Sequence, residues 1–380
     1  MKTTAPSEVR KLRRRVGFRV VSLLLGLAAG LVVAELAVRL LDVRPVALRG
    51  KLTLYNQDDA SVDYHCYPSN PHGELTPPPD LTRGRWKLIN YAKQEFPLTA
   101  LSDAPWVVEY RRSRHKMRNR DLPPQPPAGV TRIALVGDSF VYGEGAPEPL
   151  TLPRQMAALL GEQFELVNGG WPGANTATEL ANARYLVDEL GCRRIILVFT
   201  ANDVELTPKL AARQNFINDL INVRDLHLSA ASQSQGWGHS RLLQLVGTRF
   251  FLNAVTRDTI EWYRDCYRPE QNGANLEKLA AQFRALAEMP ECRSALVLYP
   301  LLEGLEADYP LASVHATVSQ LARAAELPVL DLAPALAGQT SCDLWAHDCD
   351  HHPNGKAHRL AARAIVDWLR TDQPALLEAP

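Results

Sequence analysis

The sequence predicts an α/β protein with a central parallel sheet, preceded by one membrane-spanning helix. Three observations carry this. From Thr131 onward, short apolar β-rich runs at 133–136, 164–167, 195–199, 295–299 and 329–332 alternate with stretches of helical periodicity. The run at 195–199 is apolar at every position, as expected of a strand buried on both faces. Near the amino terminus, residues 20–41 are interrupted by only Ser22, Glu35 and Arg39, and about twenty apolar residues span a bilayer.

Taken in order, residues 1–19 form a basic cytoplasmic segment, with Arg10, Lys11, Arg13, Arg14 and Arg15 ahead of the apolar stretch. Residues 20–41 read as a signal anchor. Arg19 can snorkel at one end, and Glu35 and Arg39, one turn apart, can pair at the other. The positive-inside rule then places the rest of the chain outside the cytoplasm. A cleaved signal peptide is the rival reading, and it also exports the remainder.

Residues 42–130 read as a Pro-rich transition region, punctuated by extended segments at 76–79 and 123–127. The basic run at 111–120 suits either anionic headgroups and acidic glycans or packing beside the following domain. Residues 131–372 hold the strand–helix alternation. Within it, Thr176-Ala177-Thr178-Glu179 reads as a capping box opening a helix that Gly191 stops. Helices are expected at 275–289 and 313–326. Residues 205–273 interrupt the pattern as an insert with a helix at 241–252 and an aromatic group, Trp262, Tyr263 and Tyr267. Such an insert can cap the site and choose the substrate, or serve as a packing layer.

Four short blocks follow the strand-like runs. Gly137-Asp138-Ser139-Phe140 ends the first, and Asn168-Gly169-Gly170-Trp171-Pro172-Gly173-Ala174-Asn175-Thr176 the second. Thr200-Ala201-Asn202-Asp203 ends the third, and Asp350-His351-His352-Pro353-Asn354 precedes the last helix. In this order the blocks resemble the SGNH (GDSL) hydrolase superfamily, and more loosely its membrane-anchored esterase-type members. The resemblance covers about residues 132–369. It implies a flavodoxin-like three-layer fold, Ser139 as nucleophile, His352 as general base, and Ser139, Gly173 and Asn202 as the oxyanion hole. Two departures stand out. Thr200 replaces the usual glycine of the third block. Cys349 stands where many members carry the acid, so Asp350 is assigned that role, with Asp348 and His351 as the competing pair.

These residue types suit acyl transfer. A serine hydroxyl needs an adjacent base, and a carboxylate orients that base and stabilises the imidazolium. Hydrogen-bond donors then receive the charge that develops on the ester carbonyl oxygen. Asp138 reads as a turn-stabilising residue, and His65, His239 and His358 have no motif around them. The resulting expectation is an exported, membrane-tethered serine esterase acting on a small ester, lipid or acylated glycan. An O-acyltransferase using the same site and a non-catalytic envelope protein are the alternatives.

No metal or organic cofactor is implied. The chain's 380 residues carry 42 basic and 42 acidic side chains, so no global basic field favours nucleic acid. The six cysteines, Cys66, Cys192, Cys266, Cys292, Cys342 and Cys349, lack zinc-site spacing. Cys342 and Cys349 bracket a short loop before His352 that a disulfide would fix, with unpaired small residues as the alternative reading.

Overall fold

A computed structural model describes residues 6–41, 51–74, 78–90, 93–103, 106–227 and 240–378. It divides into two units: residues Gly50–Asn222 with Val255–Pro380, and residues Met1–Arg49 with Val223–Ala254.

The larger unit is built on a parallel sheet of β6 (Thr131–Gly137), β7 (Phe164–Gly170), β8 (Arg194–Phe199), β9 (Arg293–Leu298) and β10 (Val329–Asp331). Their order is β10-β9-β8-β6-β7. That is the flavodoxin-like winding, whose crevice opens where β6 and β8 send their connections in opposite directions. Both β6 and β8 are buried along their whole length, which explains the apolar runs at 133–136 and 195–199. One face of the sheet packs on α3 (Leu152–Leu160) and α10 (Gly355–Thr371), the other on α4 (Thr176–Leu190) and α7 (Pro269–Ala287), with α8 (Ala312–Ala324) beside α7. Ile133, Leu135, Ile196 and Val198 share a core with Met156, Ala361 and Ile365. Truncating Leu135 to alanine would cost about 2–5 kcal/mol by transfer and cavity terms.

The start of α4 differs from the capping-box reading. Asn175 is the cap, its side chain accepting the Thr178 N–H at 3.1 Å. Glu179 faces the core instead and is fully buried.

The segment read as a transition region holds an antiparallel sheet. Its strands are β1 (Leu52–Asn56), β2 (Val62–Tyr67), β3 (Trp86–Asn90), β4 (Glu95–Phe96) and β5 (Trp106–Arg111), in the order β4-β3-β1-β2-β5. The residues alternate between two faces. Leu54, Val62, Tyr64, Cys66 and Leu88 pack together on one face. Tyr67, Trp106, Val108 and Tyr110 pack against Tyr142 and Ala346 of the sheet-and-helix body.

Most basic side chains of the run at 111–120 face solvent, with Arg111, Arg114, Lys116 and Arg120 exposed, but Arg118 turns inward. Arg118 is buried and donates to the carbonyls of Glu109, Tyr142, Gly143 and Ala146, while its guanidinium lies 4.4 Å from the Tyr110 ring centre. Asn119 and the backbone of Asn168 exchange two hydrogen bonds, at 2.8 and 2.9 Å.

In the smaller unit, α1 (Pro6–Leu40) is one continuous helix, and an 18-residue window within Arg15–Leu40 reaches a mean hydropathy of 2.3. This helix is long and apolar enough to cross a membrane. Arg39 pairs with Glu35 at 2.6 Å, as their spacing implies. Glu35 also accepts from the Ser240 hydroxyl and from the N–H groups of Arg241 and Leu242, capping the first turn of α6 (Arg241–Cys266). The helix expected at 241–252 therefore continues for fourteen further residues in the insert.

Candidate active site

Each of the four blocks is aimed by an adjoining strand or helix. β6 ends at Gly137, and Asp138 caps the short helix α2 (Ser139–Tyr142) by accepting the Phe140 N–H at 2.8 Å. The cap turns the chain sharply and leaves the Ser139 side chain at the sheet edge. Gly170 must be glycine because a Cβ there would stand 2.1 Å from the Tyr142 backbone nitrogen. β7 and α2 can approach only because that atom is missing.

At the other end of the chain, β11 (Trp345–His347) and β12 (Asp350–Pro353) form a small antiparallel hairpin. Two-residue periodicity puts Asp350 and His352 on the same side of β12. Asn354 locks the hairpin to α10: its side chain caps Ala357 at 3.0 Å and donates to the carbonyls of Asp343 and Trp345.

The Ser139 hydroxyl lies 2.9 Å from His352 Nε2, and the opposite ring nitrogen, Nδ1, hydrogen-bonds to Asp350 Oδ1. His351 is elsewhere. Its ring stacks on Trp345 at 3.7 Å between centroids and pairs with Glu303, while Asp348 is exposed. Gly173 lies in the loop after β7 with φ of 74°, a left-handed conformation that glycine adopts without strain. A Cβ at that position would meet open space, so conformation rather than crowding calls for glycine there.

Asn202 is half-buried, and its amide donates to Asp138 Oδ2 at 2.8 Å. Thr200, the departure in this block, is the hub of the local network. Its hydroxyl lies 2.6 Å from Asn202 Oδ1 and 3.2 Å from both Asp138 Oδ2 and Asp203 Oδ1. The Asp203 carboxyl accepts the Thr200 N–H at 2.5 Å, making the turn that a glycine would otherwise ease. Asp138 therefore does more than stabilise its own turn, because it ties the Ser139 block to the Asn202 block.

Several residues around the site had no motif to announce them. The Tyr67 hydroxyl donates to Asp350 Oδ2 at 2.7 Å. Lys51, buried just before β1, lies 3.0 Å from the same oxygen and pairs with Glu144. Glu144 sits between Gly143 and Gly145, and its Oε2 is 3.7 Å from His352 Nε2. His65, Glu144 and Asp350 place potential ligand atoms within 4.8 Å of one another, but the cation between the two carboxylates is the Lys51 ammonium. Only the Gly-Glu-Gly sequence so close to Ser139 offered a signal.

Electrostatics follow from burial and these pairings. For His352 burial opposes the charged ring, but Asp350 and Glu144 outweigh it and push the imidazole up to about 9. Burial alone would raise Asp350, yet Lys51 and His352 hold it well below the usual carboxylate range. Glu144 is likewise brought down to about 2 against its own burial, by Lys51 first and then His352.

One expectation is corrected here, and one open alternative is resolved. Trp262 and Tyr267 are 3% and 4% exposed, so they offer little surface to a substrate. The Trp262 indole donates to the Leu210 carbonyl, joining α6 to α5 (Pro208–His227), and the Tyr267 hydroxyl donates to the Ala201 carbonyl beside Asn202. No disulfide joins Cys342 to Cys349, whose sulfur instead lies 3.0 Å from His347 Nδ1.

Residues 135–360, from the strand before Ser139 to the helix after His352, match the GDSL-like lipase/acylhydrolase family. The chain belongs to that family. It is a hydrolase with the family's esterase or acylhydrolase chemistry. No curated protein matches it. Among solved structures, a two-domain esterase active on acetylated mannans matches at 16% identity, over 66% of this chain, with a TM-score of 0.37. This chain spans 52% of that esterase's length. A lipase/acylhydrolase from Enterococcus faecalis matches at 16% identity, over 63% of this chain and 96% of its own, with a TM-score of 0.34. A carbohydrate acetylesterase family member from Sinorhizobium meliloti matches at 11% identity, over 64% and 100%, with a TM-score of 0.36.

Proposed function

We propose that this GDSL-like hydrolase is a membrane-anchored serine esterase that cleaves small acyl esters outside the cytoplasm. The observation that carries the reading is the unbroken chain Ser139 Oγ, His352 Nε2, His352 Nδ1, Asp350 Oδ1. Ser139 Oγ bonds to the ester carbonyl carbon while its proton passes to His352 Nε2, and the carbonyl π electrons move onto oxygen. The N–H groups of Ser139 and Gly173 and the second amide N–H of Asn202 receive that oxyanion. His352 then returns the proton to the departing alcohol as the tetrahedral intermediate collapses to acyl-Ser139. A water deprotonated by the same base releases the acid. Asp350 holds the ring in the tautomer that this sequence needs.

Anchoring rests on α1, whose apolar stretch follows a basic segment and is long enough to span. Hydrolysis of p-nitrophenyl acetate by the detergent-solubilised full chain tests the activity, and adding an oligosaccharide acceptor shows whether the acyl group passes to a sugar instead. Absence of Ser139-dependent turnover in folded protein would refute the esterase. An active carboxy-terminal alkaline phosphatase fusion and an inactive β-galactosidase fusion are expected; the reverse pattern would refute export.

A further inference from the structure

His352 lies between two carboxylates, and a buried lysine lies between those carboxylates. Asp350 takes the Nδ1 side of the ring, and Glu144 stands 3.7 Å from Nε2, on the Ser139 side. Lys51 bridges them, pairing with Glu144 Oε1 and reaching Asp350 Oδ2 at 3.0 Å. The side chains of Lys51, Glu144 and Asp350 are 6%, 12% and 4% exposed, so solvent screens them little. With the ring neutral, one lysine against two carboxylates leaves a net negative charge. With the ring protonated, the charges cancel.

We propose that Lys51 and Glu144 are positioning residues that make this pocket electrically neutral only when His352 is doubly protonated. The pocket then favours the imidazolium that forms as Ser139 loses its proton, and it sets the pH at which the base becomes available. This rests on the assignment of His352 as the base.

The surrounding groups leave His352 as the one that switches. From β2, His65 Nδ1 approaches Glu144 at 3.8 Å, and Tyr67 donates to Asp350. From β5, the Tyr110 hydroxyl accepts the Gly145 N–H and holds the Glu144 turn. From α10, buried His358 feels the charge of His352, and the Phe140 and His352 rings meet edge to face at 5.8 Å between centroids. Burial drives His65 and His358 down to about 3, so both are neutral wherever the enzyme folds at ordinary pH. Lys51 opposes its own burial through Asp350 and Glu144 and stays charged.

The two residues have opposite effects. Removing the Glu144 charge leaves Lys51 balanced by Asp350, so the neutral ring is favoured and the base becomes available at lower pH. Removing Lys51 leaves two carboxylates facing the ring, so its proton is held more tightly. The test is ¹⁵N-histidine titration of full-length protein in detergent, with His352 assigned by His352→Gln, alongside the pH profile of kcat/KM for p-nitrophenyl acetate. Glu144→Gln should lower the His352 midpoint by about one pH unit or more, and Lys51→Met should raise it by a similar amount. Lys51→Arg, which keeps the charge, should leave the midpoint near its original value. In active enzyme the kinetic midpoint should move with the spectroscopic one. Midpoints unmoved in folded variants, or moved in the same direction by both, would overturn the proposal. Failure of Ser139 to react at all would sink the esterase reading, while the titration would still judge the charge arrangement.

Discussion

Two buried acidic clusters flank Ser139, and they behave in opposite ways. On either side of His352, Asp350 and Glu144 are ionised, with carboxyls held below their usual range. Beneath the turn that carries Ser139, Asp138, Glu179 and Asp203 are buried at least as deeply. There, burial and mutual repulsion push Glu179 and Asp203 well above the carboxylate range. Burial acts alike in both clusters; the difference is the Lys51 ammonium, which has no counterpart beside Glu179 among the described residues. One lysine keeps a buried acid pair ionised; without one, Glu179 and Asp203 hold their protons and serve as a scaffold.

The harshest way to break this comparison is to remove the groups that the first cluster serves. Ser139→Ala and His352→Ala should each lower kcat for p-nitrophenyl acetate by on the order of 10⁴-fold or more while circular dichroism stays unchanged. Asp350→Asn should cost about 10²–10⁴-fold, since the ring would lose both its orienting partner and its counter-charge. Asp348→Asn, at an exposed position, should leave turnover unchanged. Asn202→Ala probes the second cluster and should cost about 10²–10³-fold in kcat through loss of an oxyanion donor. A smaller loss would show that Asn202 only anchors Asp138.

The pH and stability predictions sharpen the contrast. Tyr67→Phe removes one hydrogen bond to Asp350 and should cost about 1 kcal/mol, or up to about tenfold in kcat/KM. Glu179 makes no hydrogen bond through either carboxyl oxygen among the described residues, and its folded-state pKa lies above the ordinary 4.5. Below that value both folded and unfolded chains hold the proton. Above it the unfolded chain ionises first, so the protein loses stability as pH rises toward the folded pKa. Glu179→Gln abolishes that loss and should raise stability by about 1–3 kcal/mol at pH 8, with the gain vanishing near pH 4. Thermal unfolding at both pH values checks it, and a pH-independent difference would contradict the protonated scaffold.

The sequence exposed one cluster's chemistry far better than the other's support. Ser139 and Asn202 were legible because each follows a recognisable strand at the sheet edge, and His352 because its block opens the last helix, with Gly170 and Asn354 enforcing the local geometry. Lys51 and Tyr67 were not. Their partner Asp350 lies almost three hundred residues away, and a single lysine before an unrecognised strand carries no pattern. The antiparallel sheet escaped notice because its strands are only two to six residues long and because proline-rich segments border it. The insert's aromatics misled for a related reason. Trp262 and Tyr267 resemble binding-surface residues in sequence, but their N–H and O–H groups satisfy backbone carbonyls within the fold. Glu179 had the spacing of a capping residue, yet Asn175 fills that role and frees Glu179 to face inward.

The most direct test of the central claim is labelling by a fluorophosphonate, whose phosphorus accepts Ser139 Oγ as fluoride leaves. Mass spectrometry of the full-length protein, followed across pH, reports both which residue reacts and when its base is ready. The account predicts a single adduct on Ser139, lost in His352→Ala, forming faster as pH climbs toward about 9, where His352 gives up its second proton. An adduct on another residue, or a rate on Ser139 that is independent of His352, would contradict it.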